Sequence, residues 1–398
     1  MIETNKNIYI NNISIKSIFS KFSLPIYIYD YKKILKNLYL IKKTKIFCFY
    51  SIKSNNNKFL LKLVSKIIKN FDVVSIEEIN NIIYINKKKK YIIFSGSGKT
   101  ISEILISINL NIFSINVESV QELFKIFFFC NKYKKNINLM IRLNPNIDSL
   151  SHDKITTGKI NNKFGINISN IKHFLLLINI MNFNFIGYDF HIGSQISKLS
   201  PIKKLFKIIK IINKYKKVNF VDIGGGKSIN YYENKICINF NNYYLSIIKM
   251  IKKYNFNFKL IIELGRFFFG NTCIILSKVN YLKFNKILKI AILNVGMNDI
   301  IRPSLYNSYH KIESNNIGYK IKNIFGPICE SSDKYNNINS FKINNNNLVI
   351  IYSCGSYCKV MSSNYNSKKK IFDIIIYKNK IKIIFKKEKF NNLINNYV

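Results

Sequence analysis

A single lysine, Lys53, follows a run of apolar and aromatic residues near the start of the chain, with Asn55 two residues later. The run, Phe47 to Ser51, predicts a buried strand. Enzymes built on parallel barrels place their chemistry at the carboxyl ends of strands, where a lysine amine can form a Schiff base. Because most lysines after a strand are solvated turn residues, Lys53 needs support from the other strand ends.

Three later strand ends supply that support. His191 lies in a glycine-flanked turn that would let a flat ligand approach closely. Three glycines, Gly224 to Gly226, follow another strand, and their backbone N–H groups could hold a phosphate. Glu263 and Arg266 add a carboxylate for a pyridine nitrogen and a guanidinium for a carboxylate. Amine, ring-stacking imidazole, phosphate cradle and acid together predict a pyridoxal-phosphate site.

Eight strand-like runs alternate with stretches that can form helices, and this alternation predicts how those residues are positioned. The spacing is typical of a parallel (β/α)8 TIM-type barrel. The predicted strands are Phe47–Ser51, Asp72–Ser75, Ile92–Ser95, Ile112–Asn116, Leu139–Leu143, Phe185–His191, Asn219–Ile223 and Leu260–Glu263.

After Arg266 the pattern becomes β-rich, which predicts a second, mostly antiparallel domain. A hairpin turn is expected at Lys378 to Lys380. The expected domains are an N-terminal segment 1–24 that joins the β domain, a barrel over 25–272 and the β domain over 273–398. The predicted strands of that domain are Ile274–Val279, Ile287–Val295, Leu348–Ser353, Ile371–Tyr377 and Ile381–Phe385.

The composition excludes several classes of function. The 398 residues have a formal charge of +43, but the lysines are spread along the whole chain with excess Ile, Asn, Tyr and Phe, so no nucleic-acid partner is expected. No apolar segment approaches the length that spans a membrane, and the first residues lack the pattern of a signal peptide, so we expect a protein without one. Seven irregularly spaced cysteines form no zinc pattern, so no metal is expected and a reducing cytoplasm is the predicted location.

The motifs around these residues resemble those of the fold type III (alanine-racemase-like) pyridoxal-phosphate enzymes, and within them the diaminopimelate decarboxylase family. Tyr50–Asn55 matches the cofactor-lysine motif, His191–Gln195 the HIGSQ motif, Gly224–Gly226 the glycine triplet and Glu263–Arg266 the EPGR motif. Later blocks around Arg302, Cys329 and Tyr357 resemble the same family, so the resemblance covers nearly the whole chain.

The resemblance implies pyridoxal 5'-phosphate as the cofactor. Lys53 would hold it covalently, His191 would stack on its ring, and Glu263 would keep its pyridine nitrogen protonated. Tyr357 would contact both cofactor and substrate. The residues implied to bind the phosphate are Gly224, Gly225, Gly226, Gly265 and Arg266.

The resemblance also implies a reaction, the decarboxylation of meso-2,6-diaminopimelate to L-lysine and CO2, the last step of lysine biosynthesis. Arg266, Arg302 and Tyr306 would bind the distal carboxylate of the substrate and Glu330 its distal ammonium. Cys329 would return a proton to Cα. In this family the cysteine and glutamate come from the partner subunit, so the resemblance implies a homodimer with a shared active site.

Two alternatives stay open on the motifs alone: an ornithine- or arginine-type decarboxylase of the same fold, and a non-catalytic homologue. The chain also departs from the family pattern at Asp189, Leu264, Asn294 and Ser356. Leu264 stands where the family usually has proline, which would pre-set that backbone. None of the four departures removes a group that does the chemistry, so we expect an active enzyme.

Overall fold

The chain divides into two compact units, and the barrel residues form one of them. That unit comprises Leu38–Ile229 and Cys237–Gly265, and the other comprises Met1–Asn37, Asn230–Ile236 and Arg266–Val398. The predicted boundaries after residues 24 and 272 differ from these, because the strand Ile26–Asp30 pairs within the second unit. The computed structural model describes residues 2–4, 7–85, 91–149, 157–158, 162–231, 237–286, 288–314, 317–336 and 340–395.

Eight parallel strands form a closed ring in the first unit, because the last strand pairs with the first. This confirms the predicted (β/α)8 barrel, and each observed strand overlaps its predicted range. The strands are Phe47–Ser51, Asn70–Val73, Tyr91–Phe94, Ser114–Val117, Asn138–Asn144, Asn184–Asp189, Phe220–Asp222 and Lys259–Leu264. A two-residue strand, Ile166–Asn167, pairs with the fifth of them.

A helix follows each of the first seven barrel strands. Several begin at a side-chain cap: the Thr100 hydroxyl and the Glu103 carboxylate form a reciprocal capping box, and Asn57 accepts from the N–H groups of Phe59 and Leu60. The helices are Lys58–Ser65, Ile76–Ile85, Ile101–Leu110, Val120–Lys132, Ile171–Ile180, Ser200–Ile212 and Phe240–Lys253.

The barrel interior is packed with large apolar side chains. Phe49, Ile93, Met140, Ile186 and Ile261, from five different strands, form one buried cluster. Burying each such side chain stabilises the fold by about 1.5–3 kcal/mol. This core fixes the register of the strands, and therefore the positions of the polar residues at their carboxyl ends.

The second unit is built on a mixed, mostly antiparallel sheet, as predicted. Ile26–Asp30 lies between Cys273–Phe284 and Phe372–Tyr377, antiparallel to the first and parallel to the second. The other strands of this unit are Ile2–Thr4, Asn7–Ile10, Ile13–Ser14, Lys289–Leu293, Ile312–Ser314, Tyr319–Ile321, Asn323–Phe325, Lys334–Tyr335, Phe341–Ile343, Leu348–Ile351 and Lys380–Phe385. Its helices are Ile15–Phe19, Tyr31–Lys42, Arg266–Phe269, Arg302–Tyr306 and Phe390–Ile394, of which Tyr31–Lys42 runs on into the barrel unit.

The N-terminal segment packs against this sheet. Ile10, Ile15 and Ile18 are buried in one cluster with sheet residues that include Ile274 and Ile374. The predicted hairpin turn is present at residues 378–379, both with positive φ as a tight two-residue turn requires. Across the ranges that the structure describes, no helix is both long enough and apolar enough to cross a membrane.

Candidate active site

Lys53 follows the first barrel strand on a short 3-10 turn, Ile52–Ser54. Its Nζ lies 3.1 Å from Oδ2 of Asp72, on the second strand. The lysine side chain is 33% exposed whereas the aspartate is fully buried, so a buried carboxylate holds the amine of a side chain that stays partly accessible. A positioned, reachable amine is what covalent attachment of a carbonyl cofactor requires.

His191 follows the sixth strand and faces Glu263 on the eighth, with 3.7 Å between Nδ1 and Oε2. The Gly225 N–H donates to the same Nδ1 at 3.3 Å, so the imidazole proton lies on Nε2. Burial, followed by the charges of Lys53 and Arg142, lowers the pKa of His191 to about 3. The ring is therefore neutral at physiological pH and suited to stacking.

Glu263 is buried, and its Oε1 accepts a hydrogen bond from Ser95 Oγ at 3.4 Å. Burial, followed by the charge of Asp72, raises the pKa of Glu263 to about 7. A cation beside this carboxyl would lower the pKa again, because the ionised form gains a partner. Such a carboxyl can hold a proton on a nearby ring nitrogen.

The glycine triplet packs directly against these side chains. A Cβ on Gly224 would lie 2.5 Å from His191 Nδ1, and one on Gly225 would lie 2.2 Å from the carbonyl oxygen of Glu263. Gly224 also has φ +69°, a conformation that L side chains rarely adopt. The turn can therefore be made only of bare backbone, which is also what close approach to a phosphate requires.

Substituting Gly225 with alanine should therefore weaken cofactor binding. The added Cβ has backbone on one side and no flexible side chain to displace, so the turn must move and shift both Glu263 and His191. We expect the Kd for pyridoxal phosphate to rise by at least about tenfold, a loss of about 1.4 kcal/mol. Fluorescence titration of the apoprotein measures this. An unchanged Kd would show that the turn does not contact the phosphate.

In the second unit, Arg302 begins a short helix and is buried. Its Nη1 lies 2.8 Å from His310 Nε2, and its guanidinium lies 4.7 Å from the Tyr231 ring centroid. Burial, followed by the Arg302 charge, lowers the pKa of His310, so Nε2 accepts and Nδ1–H donates to the Tyr352 carbonyl. Arg302 Nε is buried without a hydrogen-bond partner among the described residues, which favours an anionic ligand.

Arg266 lies in the same unit and shares Tyr231 with Arg302. Its Nη1 donates to the Tyr231 hydroxyl at 2.8 Å, and its guanidinium lies 4.6 Å from the Tyr357 ring centroid. Burial opposes ionisation of the nearby Cys358, but a hydrogen bond with Cys354 and the two arginine charges lower its pKa overall. The structure therefore brings together three sequence-predicted residues, Arg266, Arg302 and Tyr357.

Cys329 and Glu330 lie elsewhere in this unit and are exposed. The Cys329 N–H donates to Asn366 Oδ1 at 2.9 Å, and Glu330 Oε1 accepts from the Tyr365 hydroxyl at 2.7 Å. Asp333 orders the loop, because its two carboxylate oxygens accept the N–H groups of Met297 and Ile328. Both residues are thus presented on an ordered, accessible loop.

The remaining predicted residues lie at the ends of their elements. Tyr306 ends the Arg302–Tyr306 helix and is half-buried. Gly265 follows the eighth barrel strand, and a Cβ there would lie 2.6 Å from Ser54, one residue after the lysine.

The residues that sequence reasoning missed are Asp72 and Tyr231. Asp72 lies in a predicted strand and could have been proposed as a partner for Lys53, whereas no sequence signal marks Tyr231.

The donor set fits pyridoxal phosphate. The barrel unit supplies an accessible amine, a buried carboxyl with a raised pKa, a neutral imidazole and a side-chain-free turn. These are the groups needed to attach an aldehyde, to protonate a pyridine nitrogen, to cover a ring and to hold a phosphate.

Comparison with known proteins also indicates a pyridoxal-phosphate enzyme. Residues 30–270 match the family model of the pyridoxal-dependent decarboxylases, pyridoxal binding domain. The chain is 31% identical to diaminopimelate decarboxylase of Campylobacter jejuni, covering 95% of this chain and 97% of that protein.

Two solved structures share the fold over most of both chains. Diaminopimelate decarboxylase from Helicobacter pylori, complexed with L-lysine, is 32% identical with a TM-score of 0.86 over 95% of this chain and 98% of that one. The enzyme from M. jannaschii, also in complex with L-lysine, is 28% identical with a TM-score of 0.89 over 99% and 96%. The chain belongs to the pyridoxal-dependent decarboxylase family, among the diaminopimelate decarboxylases.

Proposed function

We propose that this chain decarboxylates meso-2,6-diaminopimelate to L-lysine and CO2 with pyridoxal 5'-phosphate as its cofactor. The observation that supports the substrate best is Arg302, a buried guanidinium with an unpaired Nε that needs an anion. Diaminopimelate retains a carboxylate at its distal end, whereas ornithine does not. Leaving that Nε without a partner in a closed site costs about 1–3 kcal/mol.

Each barrel residue has one task in this proposal. Lys53 binds the cofactor aldehyde covalently, with Asp72 fixing the amine until then. His191 covers the ring face, and Glu263 accepts a hydrogen bond from the protonated ring nitrogen. Gly224, Gly225 and Gly226 hold the phosphate together with the backbone around Gly265 and Arg266, so the Arg266 guanidinium stays available for the substrate. The bound cofactor supplies an electron sink for the pair left when the Cα–carboxylate bond breaks.

The second unit recognises the far end of the substrate. Arg266, Arg302 and Tyr306 bind the distal carboxylate, and Tyr357 contacts substrate and cofactor. The neutral His310 keeps the Arg302 fork oriented through its 2.8 Å contact. Two guanidiniums in one site favour a substrate with a carboxylate at its distal end. Ornithine would place only an ammonium there.

Cys329 and Glu330 act from the partner subunit in this proposal, so the enzyme is a homodimer. Cys329 returns a proton to Cα after CO2 has left, and Glu330 binds the distal ammonium of the substrate. Their exposure in the single chain supports this, since a side chain that completes a partner's site must be accessible before assembly. The loop order imposed by Asp333 would place them reproducibly.

The direct test is CO2 release from meso-diaminopimelate, L-ornithine and L-arginine by the purified protein with added pyridoxal phosphate. Release from diaminopimelate alone supports the proposal. Release from ornithine or arginine would instead assign the second candidate, a basic amino-acid decarboxylase. Cofactor absorbance without turnover of any of the three would support a non-catalytic homologue.

Shared active sites make a further prediction: two inactive variants should complement each other. Lys53→Ala and Cys329→Ala remove residues that belong to different chains of one site. Equal mixing after reversible dissociation should restore about a quarter of wild-type activity, because half the dimers are mixed and each has one intact site. If the mixture stays inactive while mixed dimers form, both residues of a site come from one chain.

The proposed location is the cytoplasm. All seven cysteines are free thiols, five of them buried, which suits a reducing compartment. Labelling of Cys329 by a membrane-impermeant thiol reagent before and after cell lysis tests this location. Labelling in intact cells would place the protein outside the cytoplasm.

A further inference from the structure

Three buried carboxyl groups converge at the carboxyl ends of neighbouring barrel strands. Asp189, Asp222 and Glu263 each offer an oxygen within 4.8 Å of the other two. Asp189 and Asp222 are also direct register partners on the sixth and seventh strands. None is more than 4% exposed. Carboxylates this close in a dry site cannot all be ionised, so the cluster holds at least one proton.

The carboxyl oxygens of this cluster differ in whether they have a hydrogen-bond partner. Asp189 Oδ2 accepts from Asn116 Nδ2 at 2.9 Å and lies 3.9 Å from Arg142 Nε. Asp222 Oδ1 accepts from the Gly224 N–H at 2.7 Å. Asp189 Oδ1 and Asp222 Oδ2 are buried with no hydrogen-bond partner in the described part of the chain. An oxygen that carried a proton would become a donor and could satisfy a neighbouring carboxylate.

A chain of neutral side chains links Asp189 to Glu263. Asn116 Nδ2 donates to Ser95 Oγ at 3.2 Å as well as to Asp189, and Ser95 Oγ donates to Glu263 Oε1 at 3.4 Å. All four residues are buried, so the network is protected from water. The Asp189 carboxyl is therefore connected to Glu263 through two buried, hydrogen-bonded side chains.

The charges around Asp189 are also unbalanced. His191 is neutral, so among the described residues Arg142 is the cation that acts on Asp189, and Glu118 binds it more closely, at 2.8 Å. Lys53 acts on Glu263 of the same cluster, and the buried Lys99 is paired with Glu122 at 2.8 Å. Two cations thus face five buried carboxyl groups, and full ionisation would leave a large excess of buried negative charge. The five carboxyl groups are Asp72, Glu118, Asp189, Asp222 and Glu263.

We propose that Asp189 is a positioning residue for Glu263, acting as a neutral acid that donates within the carboxyl cluster through Oδ1 and anchors Asn116 and Ser95 through Oδ2. Glu263 is then free to be the ionised member that faces the cofactor nitrogen. The inference rests on the proposed cofactor role of Glu263. Burial, followed by the Glu263 charge, raises the pKa of Asp189 well above its ordinary value, which agrees with a neutral acid.

The first test compares Asp189→Asn with Asp189→Ala in the cofactor-loaded protein. Asparagine reproduces a neutral side chain that accepts from Asn116 and donates into the cluster, so the absorbance maximum of bound pyridoxal phosphate and its pH dependence should match the wild type. Alanine removes the anchor, so the spectrum should shift and the cofactor Kd should rise about 10- to 100-fold, the usual loss when a group orienting a ligand-binding side chain is removed. An Asn variant that behaves like the Ala variant would overturn the proposal, because an ionised Asp189 would then be required.

The second test needs no cofactor and no turnover. In the unfolded chain Asp189 ionises above about pH 4. If it stays neutral when folded, unfolding releases its proton and the stability of the wild type falls as pH rises. The urea midpoint of Asp189→Asn should therefore rise relative to that of the wild type as the pH increases from about 5 to about 8. If the two urea midpoints changed with pH in parallel, the proposal would be overturned. A divalent cation that raised the urea midpoint of the wild type but not that of Asp189→Asn would also overturn it. Because this test uses the apoprotein, it stands even if diaminopimelate is not turned over.

Discussion

Lys53→Ala is expected to abolish decarboxylation of meso-diaminopimelate. Removing the amine removes the group that binds the cofactor covalently and leaves Asp72 buried without its 3.1 Å partner. We expect kcat to fall by roughly four orders of magnitude or more, as for other residues that form a covalent bond in the reaction. Steady-state CO2 release, with the absorbance of bound cofactor recorded on the same sample, measures both effects.

Two variants control for this loss. Lys53→Arg keeps the positive charge and a donor for Asp72 but cannot form the covalent bond, so it should be as inactive as alanine while its unfolding midpoint stays nearer the wild type. Lys58→Ala removes an exposed lysine five residues later and should leave activity unchanged. Activity in Lys53→Arg within tenfold of the wild type would contradict covalent attachment through Lys53.

The barrel could be predicted from the sequence because its strands are short, mostly buried runs in which β-branched and aromatic residues recur, separated by stretches long enough for a helix. The sequence predicts Phe47–Ser51 with its observed bounds, and it predicts the next strand at Asp72–Ser75, two residues after the observed Asn70–Val73. The polar residues that follow these runs lie at one end of the barrel by topology alone. Lys53, His191 and Glu263 could therefore be assigned to one unit without coordinates.

Other contacts could not be predicted, because they depend on how distant segments fold back. Tyr231 lies 35 residues before Arg266 in the sequence yet hydrogen-bonds to it, and no local pattern marks it as a partner. In the sequence, Asp189 stands out only as a departure from the family pattern. Its link to Glu263 runs through Asn116 and Ser95, on or just after two other strands, and it becomes visible only with side-chain geometry.

Arg302→Met should separate substrate recognition from folding. Methionine fills much of the same volume but removes the guanidinium that we propose binds the distal carboxylate. We expect kcat/KM for meso-diaminopimelate to fall by roughly 30- to 5,000-fold, the 2–5 kcal/mol typical of truncating one member of a buried charge pair. The same change removes a desolvated charge with an unpaired Nε but also leaves the buried His310 Nε2 without its donor, so the two effects on the unfolding midpoint of the unliganded protein should largely cancel.

Arg302→Lys is the matched control for this variant. Lysine restores the positive charge but not the planar fork that meets a carboxylate with two hydrogen bonds, so it should recover only part of the lost kcat/KM. Cofactor absorbance should be unchanged in both variants, since Arg302 has no proposed role in holding the cofactor. A variant that lost both bound cofactor and activity on diaminopimelate would place Arg302 at the cofactor instead. Another residue would then have to bind the distal carboxylate, and Arg266 would be the first to substitute.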